Sequence, residues 1–459
     1  MRVLNKEIIK ALIAVVLLLP MGAAAQTLTS SVNTYSPYSM YGLGELSTQG
    51  NVAQRSMGGA GVAMWSNSMV NMLNPAGYAN TPRQSFLFNF GLEGGHFRNS
   101  QNKYTSSSTS TIRTAYNSVN IHDVAFQMPL AQGLGVGFSL TPYSNVGYTM
   151  FHDDLSSGVA GNVGRVRYIY NGEGDVTEVK IGAGWAPFKK LTIGVAMIYY
   201  WGQITRNYQA IPSSVTGSGE YSTTTGVDTF DVSKIKAQFG IMWSPILTSK
   251  NILTLGATYD LGGALSPNVV KYVYVDNLLA SVVRENKEDG LPLRLPSQIS
   301  AGAYYQTSRI RAGLDYVYQD WGDKNASYLE SESSGMRVGY TDTHTIKAGF
   351  ELTPRPTDVR NFMNRVSYRV GARYGDFYQT FNDVKVKQYA VTAGVGIPVR
   401  LFGRSSIDVG FEFGMRRGAD KTIMVDNSKV GMVKMNYYKV SIGLTMFGED
   451  RWFYRYKYD

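Results

Sequence analysis

The sequence of 459 residues contains no cysteine. That excludes disulfides, a thiol nucleophile, thiolate metal ligation and a lipid-bearing N-terminal cysteine. Histidine is nearly as scarce. His96, His122, His152 and His344 are all there are, and none is spaced with a carboxylate or a second histidine as metal ligation requires. No Gly-x-Ser-x-Gly elbow occurs, and the adjacent carboxylates Asp153 and Asp154 sit in a polar stretch where solvation is their ordinary fate. No catalytic residue, metal site or cofactor is expected, and the chain reads as something other than an enzyme. Charge is low, at 17% of residues, and the formal net charge of +10 is scattered with no basic run. Nucleic-acid binding is excluded on that ground.

Long apolar runs are missing too. Residues 11–19 form a short apolar core, preceded by Arg2, Lys6 and Lys10 and followed by Ala23, Ala24 and Ala25. This is the pattern of a secretion signal cleaved after Ala25, and the run is shorter than the roughly 20 residues a spanning helix needs. No later stretch is apolar enough for such a helix. An exported chain of this kind enters a membrane only as a closed barrel.

What the chain does have is Tyr (32), Gly (49) and Phe (19), a mix suited to strands with aromatic girdles and glycine-relieved interiors. From residue 84 a period of two takes over. Phe86, Phe88, Phe90 and Leu92 alternate with Asn89, Gly91 and Glu93. Ile193, Val195, Met197, Tyr199 and Trp201 alternate with Thr192, Gly194 and Ala196. Ile407, Val409, Phe411, Phe413 and Met415 lie opposite Asp408, Gly410, Glu412, Gly414 and Arg416. About fourteen such runs can be placed, near 84–94, 117–128, 133–148, 175–186, 191–206, 228–244, 252–265, 295–306, 309–321, 342–353, 366–378, 385–398, 405–416 and 433–447. Short connectors (129–133, 187–190, 247–251, 307–308, 401–404) alternate with long polar ones (95–116, 149–174, 207–227, 322–341). A soluble sandwich has no reason to alternate so regularly; a barrel with tight periplasmic turns and long outer loops does. The expected fold class is therefore all-β, a transmembrane antiparallel barrel of about fourteen strands. The connector 354–365 departs from the pattern and suggests a short periplasmic helix.

Between signal and strands lies a glycine-rich, nearly uncharged stretch. It runs Arg55-Ser56-Met57-Gly58-Gly59-Ala60-Gly61-Val62-Ala63 and then Asn71-Met72-Leu73-Asn74-Pro75-Ala76-Gly77-Tyr78-Ala79. By itself Asn-Pro is turn chemistry. Ahead of a barrel, the Gly-Gly-Ala-Gly run with Asn-Pro-Ala resembles the N-terminal hatch of the FadL-type hydrophobic-compound transporters. The resemblance implies a bacterial outer-membrane barrel with residues 26–83 as a lumenal plug. The division is then 1–25 signal, 26–83 hatch, 84–447 barrel and 448–459 tail. It also implies passive uptake of hydrophobic, fatty-acid-like molecules by a monomer in contact with outer-membrane lipid. Some FadL-like barrels, the PorV type, instead partner subunits of a type IX secretion system, and that alternative stays open.

The third predicted strand contains Pro142, with Gly147 beyond it. Proline removes a ladder donor. In the FadL family this strand is kinked inward and opens a side window. Pro142 fits such a kink, or else a position near the outer rim where pairing ends. Alternation points Lys180, Arg311, Lys347, Arg369, Arg373 and Arg416 inward with Glu178, Asp315, Glu351, Asp408 and Glu412. They form either a salt-bridge network or, at Lys347, Arg369 and Arg373, a seat for a ligand carboxylate. Arg369 and Arg373 are expected beside Glu351 or Asp408. The segment Asn74-Pro75-Ala76, with Gly58, Gly59 and Gly61 packed close to the wall, is expected near strand three, Asn74 acting as a hydrogen-bonding latch. The tail has no assignment beyond aromatic and basic residues suited to an interface.

Overall fold

The computed structural model describes residues 34–83, 85–104, 109–154, 165–213, 221–265, 268–286, 293–322, 328–331, 336–399, 405–418, 422–425 and 428–449. The expected signal and its cleavage point, residues 26–33 and the aromatic-basic stretch 450–459 lie outside them.

Fourteen strands form the wall. In chain order they are β1 (Ser85–Tyr104), β2 (Thr109–Ala131), β3 (Leu134–Asp154), β4 (Arg165–Phe188), β5 (Leu191–Ser213), β6 (Thr224–Leu247) and β7 (Asn251–Asp260). They continue with β8 (Gln298–Thr307), β9 (Ile310–Gln319), β10 (Thr343–Leu352), β11 (Ser367–Phe381), β12 (Val384–Val399), β13 (Ser405–Gly418) and β14 (Lys434–Glu449). Each pairs antiparallel with its neighbours in sequence, and β14 closes on β1 from Ser85↔Glu449 to Ser100↔Lys434. Closure removes the edges that a bilayer cannot hydrate. All fourteen predicted runs coincide with wall strands.

Alternation sorts the side chains as the period of two requires. On β6, Ile235, Phe239, Ile241 and Trp243 are exposed outward while Lys236, Gln238, Met242 and Ser244 are buried inward. On β11 the outward set includes Tyr368, Val370 and Tyr374 and the inward set includes Arg369. Tyr374 packs on Tyr389 and Phe413 on Tyr438 at one level of the outer surface. The six-residue step from Tyr368 to Tyr374 is about 20 Å of strand, which suits an apolar band between aromatic girdles.

The wall is uneven in height. Strands β3 to β6 have 21, 24, 23 and 24 residues, whereas β7 to β10 have 10 each. Much of what reads as long polar loop is strand: β1 and β2 run on to Tyr104 and from Thr109, and β4 starts at Arg165. Beyond the bilayer both faces meet water, so the period of two fades although Thr, Tyr and Val still favour strand. The turn between β11 and β12 is two residues, Asn382 and Asp383, both at positive φ, against the expected long-short alternation. The connector after β10 is no helix beyond the single turn Met363–Arg365. Asp358 organises it, accepting from the amides of Arg360 and Asn361 and from Asn364 Nδ2.

Candidate functional site: a plug and a break in the wall

Residues 34–83 are mostly buried and touch inward-facing positions around nearly the whole ring. The contact is possible because the strands carry glycine where the segment passes. A Cβ on Gly371 of β11 would lie 2.2 Å from the amide nitrogen of Gly58, and one on Gly349 of β10 would lie 2.3 Å from Met57 O. On the opposite wall, Gly194 of β5 and Gly184 of β4 meet Pro75, and Gly240 of β6 meets Asn74. Gly313, Gly349 and Gly371 sit side by side in register, as do Gly394 and Gly410, and, two residues along β14 from the partner of Gly410, Gly443 and Gly91. This belt of inward glycines went unrecognised in the sequence. Its signal was present: glycine inside an alternating strand marks close approach of another backbone.

The Gly58 and Gly59 residues adopt φ of 71° and 83°, which other residues resist. Gly61 and Val62 donate their amides to Asp315 Oδ2 of β9 at 2.6 and 2.9 Å. Asn74 caps the 3-10 turn Pro75–Asn80 by accepting from Ala76 N, and its amide donates to Val62 O, Ile241 O and Ala257 O. The Asn74-Pro75-Ala76 group therefore lies against β4 to β7 rather than beside strand three. Further along the same turn, Tyr78 reaches β3, over Gly135 and Gly137. The reason is spatial: the segment 52–63 occupies the β9–β14 side, so its continuation must cross to the far wall.

Ion pairs knit this assembly. Arg311 and Arg369 both donate to Glu351, at 2.9 and 2.7 Å, and Arg369 also donates to Asp408. Arg373 donates to Glu412 at 2.6 Å and not to Glu351 or Asp408. One strand of tilt carries each pair a step along the register. Between plug and wall, Arg55 donates to Glu93, which also takes Lys439 at 2.8 Å, and Arg416 donates to Glu45 at 2.7 Å. Lys180 donates to Met72 O at 3.0 Å. Arg55, Glu45, Glu93 and Lys439 were not singled out by sequence. Parity alone would have turned Glu93 and Lys439 inward. Of the three expected carboxylate seats, Arg369 is saturated by wall carboxylates. Lys347 lies in register between Asp315 and Arg373, and no ion pair joins it to a carboxylate among the described residues. Arg373 keeps a buried Nη1 without a hydrogen-bond partner. Above this layer the lumen is apolar and aromatic, built from Tyr38, Tyr200, Trp321, Phe377, Tyr378 and their neighbours.

Among the described residues the wall is broken at one place, between β2 and β3. Strands β2 and β3 pair only from Ala131↔Leu134 to Val124↔Leu140. Pro142 follows, then a bulge at Tyr143, after which β3 stays paired to β4 up to Asp154. Beyond the break β3 is covered by the plug. Glu45 and Leu46 pair with Asn145 and Ser144, Ser47 N donates to Tyr143 O, and Gln49 Nε2 donates to Pro142 O. Gly147 accepts from Ser36 N and donates to Ser39 Oγ. The predicted strand-three residues thus come together with 36–49, not with Asn74.

No curated protein matches the sequence. Solved structures are similar in fold at low identity. A Pseudomonas aeruginosa FadL homologue gives a TM-score of 0.55 at 12% identity, covering 88% of this chain and 99% of that one. The Ralstonia pickettii toluene transporter TbuX gives 0.53 at 14%, covering 87% and 98%. The Pseudomonas putida toluene transporter TodX gives 0.51 at 14%, covering 87% and 98%. The barrel is thus of the FadL type. The BamG family model matches residues 7–459, and the chain belongs to the BamG family.

Proposed function

We propose that this protein is a bacterial outer-membrane barrel for passive passage of hydrophobic small molecules, with a sideways exit where β2 and β3 part. The observation that carries this reading is the break above Val124↔Leu140, closed from the lumen, among the described residues, by plug residues that hold β3 through hydrogen bonds. A ligand would enter among the outer strand extensions, cross the aromatic upper lumen, and leave when 36–49 lifts from β3. Lys347 and the free Nη1 of Arg373 would seat a carboxylate head group, while Gly58, Gly59, Gly61 and Asn74-Pro75-Ala76 hold the rest of the plug against the wall. FadL-type relatives described as toluene transporters agree with an apolar cargo.

The absence of cysteine makes a clean test. Leu46 and Ser144 are register partners, so the pair Leu46→Cys and Ser144→Cys falls in reach of a disulfide. Oxidised protein in liposomes should lose uptake of a fluorescent fatty acid and regain it on reduction. Equal uptake in both states would overturn the gate.

One observation favours a second reading, a barrel of the PorV kind that docks protein partners. The plug is pinned through Arg55–Glu93 and Glu45–Arg416, both buried, and a lumen so tied is suited to a scaffold. Purification from native membranes separates the two: a bound lipid-like molecule supports passage, and a bound secretion subunit supports docking.

A further inference from the structure

The break in the wall has two lips, and among the described residues the plug bonds to the backbone of only one. The β3 lip is hydrogen-bonded to plug residues, as described above. The β2 lip meets the plug through side chains, Tyr116 stacked on Tyr35 and Asp123 3.7 Å from Arg55, and its backbone edge is left unpaired. From Thr109 to Asp123, β2 pairs on one side with β1 without interruption apart from a bulge at His122, whereas no strand among the described residues pairs with its other side. Its outward apolar side chains are unusually bare, Val119 at 81% and Ile121 at 57%.

Two features make this edge unlike an ordinary one. First, part of it lies at bilayer depth. Asn117 is opposite His96, which packs on Tyr438 of the upper aromatic row, so 117–123 fall below that row. Unpaired backbone groups there cost several kcal/mol each in hydrocarbon. Second, the edge lacks the devices by which exposed strands avoid pairing. Between Thr109 and Ile121 there is no proline and no lysine, and the one charge is Arg113 near the top. The composition is instead Thr109, Thr111, Ile112, Thr114, Tyr116, Val119 and Ile121, residues that favour strand pairing.

We propose that the free edge of β2 is a strand-addition site, filled in the membrane by an antiparallel β-strand from a second, different outer-membrane protein. Lipid cannot satisfy a row of amides and carbonyls, and the plug is already committed to β3. A second copy of this chain does not fit. Two copies with the same orientation in one membrane are related by an axis along the bilayer normal. Their β2 edges would then run parallel with identical groups level, amide against amide, which no ladder allows. The site goes beyond the uptake reading. An occupant would close the sideways path from outside, so loss of one does not imply loss of the other.

The test uses full-length protein in native outer membranes, with p-benzoylphenylalanine placed singly at Asn117, Val119 and Ile121. Val195 and Val391, exposed on the fully paired strands β5 and β12, serve as controls. Heat-modifiable migration checks that each variant is folded. The expected result is a gel shift to one discrete larger adduct at the β2 positions and none at the controls. Mapped by mass spectrometry, the crosslinks from 117, 119 and 121 should step by two residues along one partner segment in the opposite direction. Adducts with lipid only, adducts at twice the chain's own mass, the same adducts at Val195, or crosslinks scattered over a partner would each overturn the proposal. Fatty-acid uptake measured on the same membranes reports separately on the passage reading.

Discussion

Arg369 shows how much a single lumen residue carries. Its guanidinium sits between Glu351 and Asp408, all three side chains almost wholly enclosed. Removing one partner of such a group leaves uncompensated charge out of water, a loss of about 3–5 kcal/mol. Arg369→Met is therefore expected to shift the urea midpoint of the detergent-solubilised barrel sharply downward, while Arg309→Met, on an exposed turn, should leave it in place. The inward orientation of Arg369 was legible from parity, because a basic side chain at mid-bilayer on the lipid face costs about 2–4 kcal/mol. Its partners were only half legible. Parity names the face but not the shear of the barrel, so it offered Glu351 or Asp408 for both arginines, and Arg373 meets Glu412 instead.

At the scale of elements, the glycine belt decides whether plug and wall can meet. Gly371→Val would place branched carbons where Gly58 and Met57 run. The expected outcome is a barrel that still shows heat-modifiable migration but leaks small polar solutes in liposome swelling, since the wall's own ladder does not involve that side chain. The turn after β10 offers a different measurement. Asp358 is held below the usual carboxylate range by the hydrogen bond from Asn364 and by the amides of Asn361 and Arg360. A lowered pKa in the folded state means the stabilisation is present above the unfolded value and is lost as pH falls through the folded one. The protection of the Arg360 and Asn361 amides, taken relative to the intrinsic exchange rate at each pH, should thus be present at neutral pH and lost under acid conditions, and Asp358→Ala should abolish that change in protection. Strand existence was written in the alternation, whereas strand length was not: the extensions of β1 to β6 above the bilayer have no buried face to impose a period. The placement of Asn74 was also beyond sequence, because it depends on which wall the plug crosses to.

Across the whole molecule, the plug precedes every wall strand in the chain and the seam between β1 and β14 joins the first wall strand to the last. The plug touches both sides of that seam. Arg55 reaches Glu93 on β1, Val52 packs against Gly443 on β14, and Lys439 of β14 shares Glu93. The seam is thus stapled from within, and a ring that shuts around its own leading segment must have that segment in place when the last strand arrives. Refolding into detergent should then depend on the staple: Arg55→Ala is expected to slow the appearance of the fast-migrating folded band more than it lowers the final yield. Equal rates for both proteins would show that the ring shuts first. For the cell the consequence is one of timing. Residues that precede every wall strand are the keystone of the last bond made, so a chain without its plug would reach the membrane able to form every hairpin and slow to become a barrel.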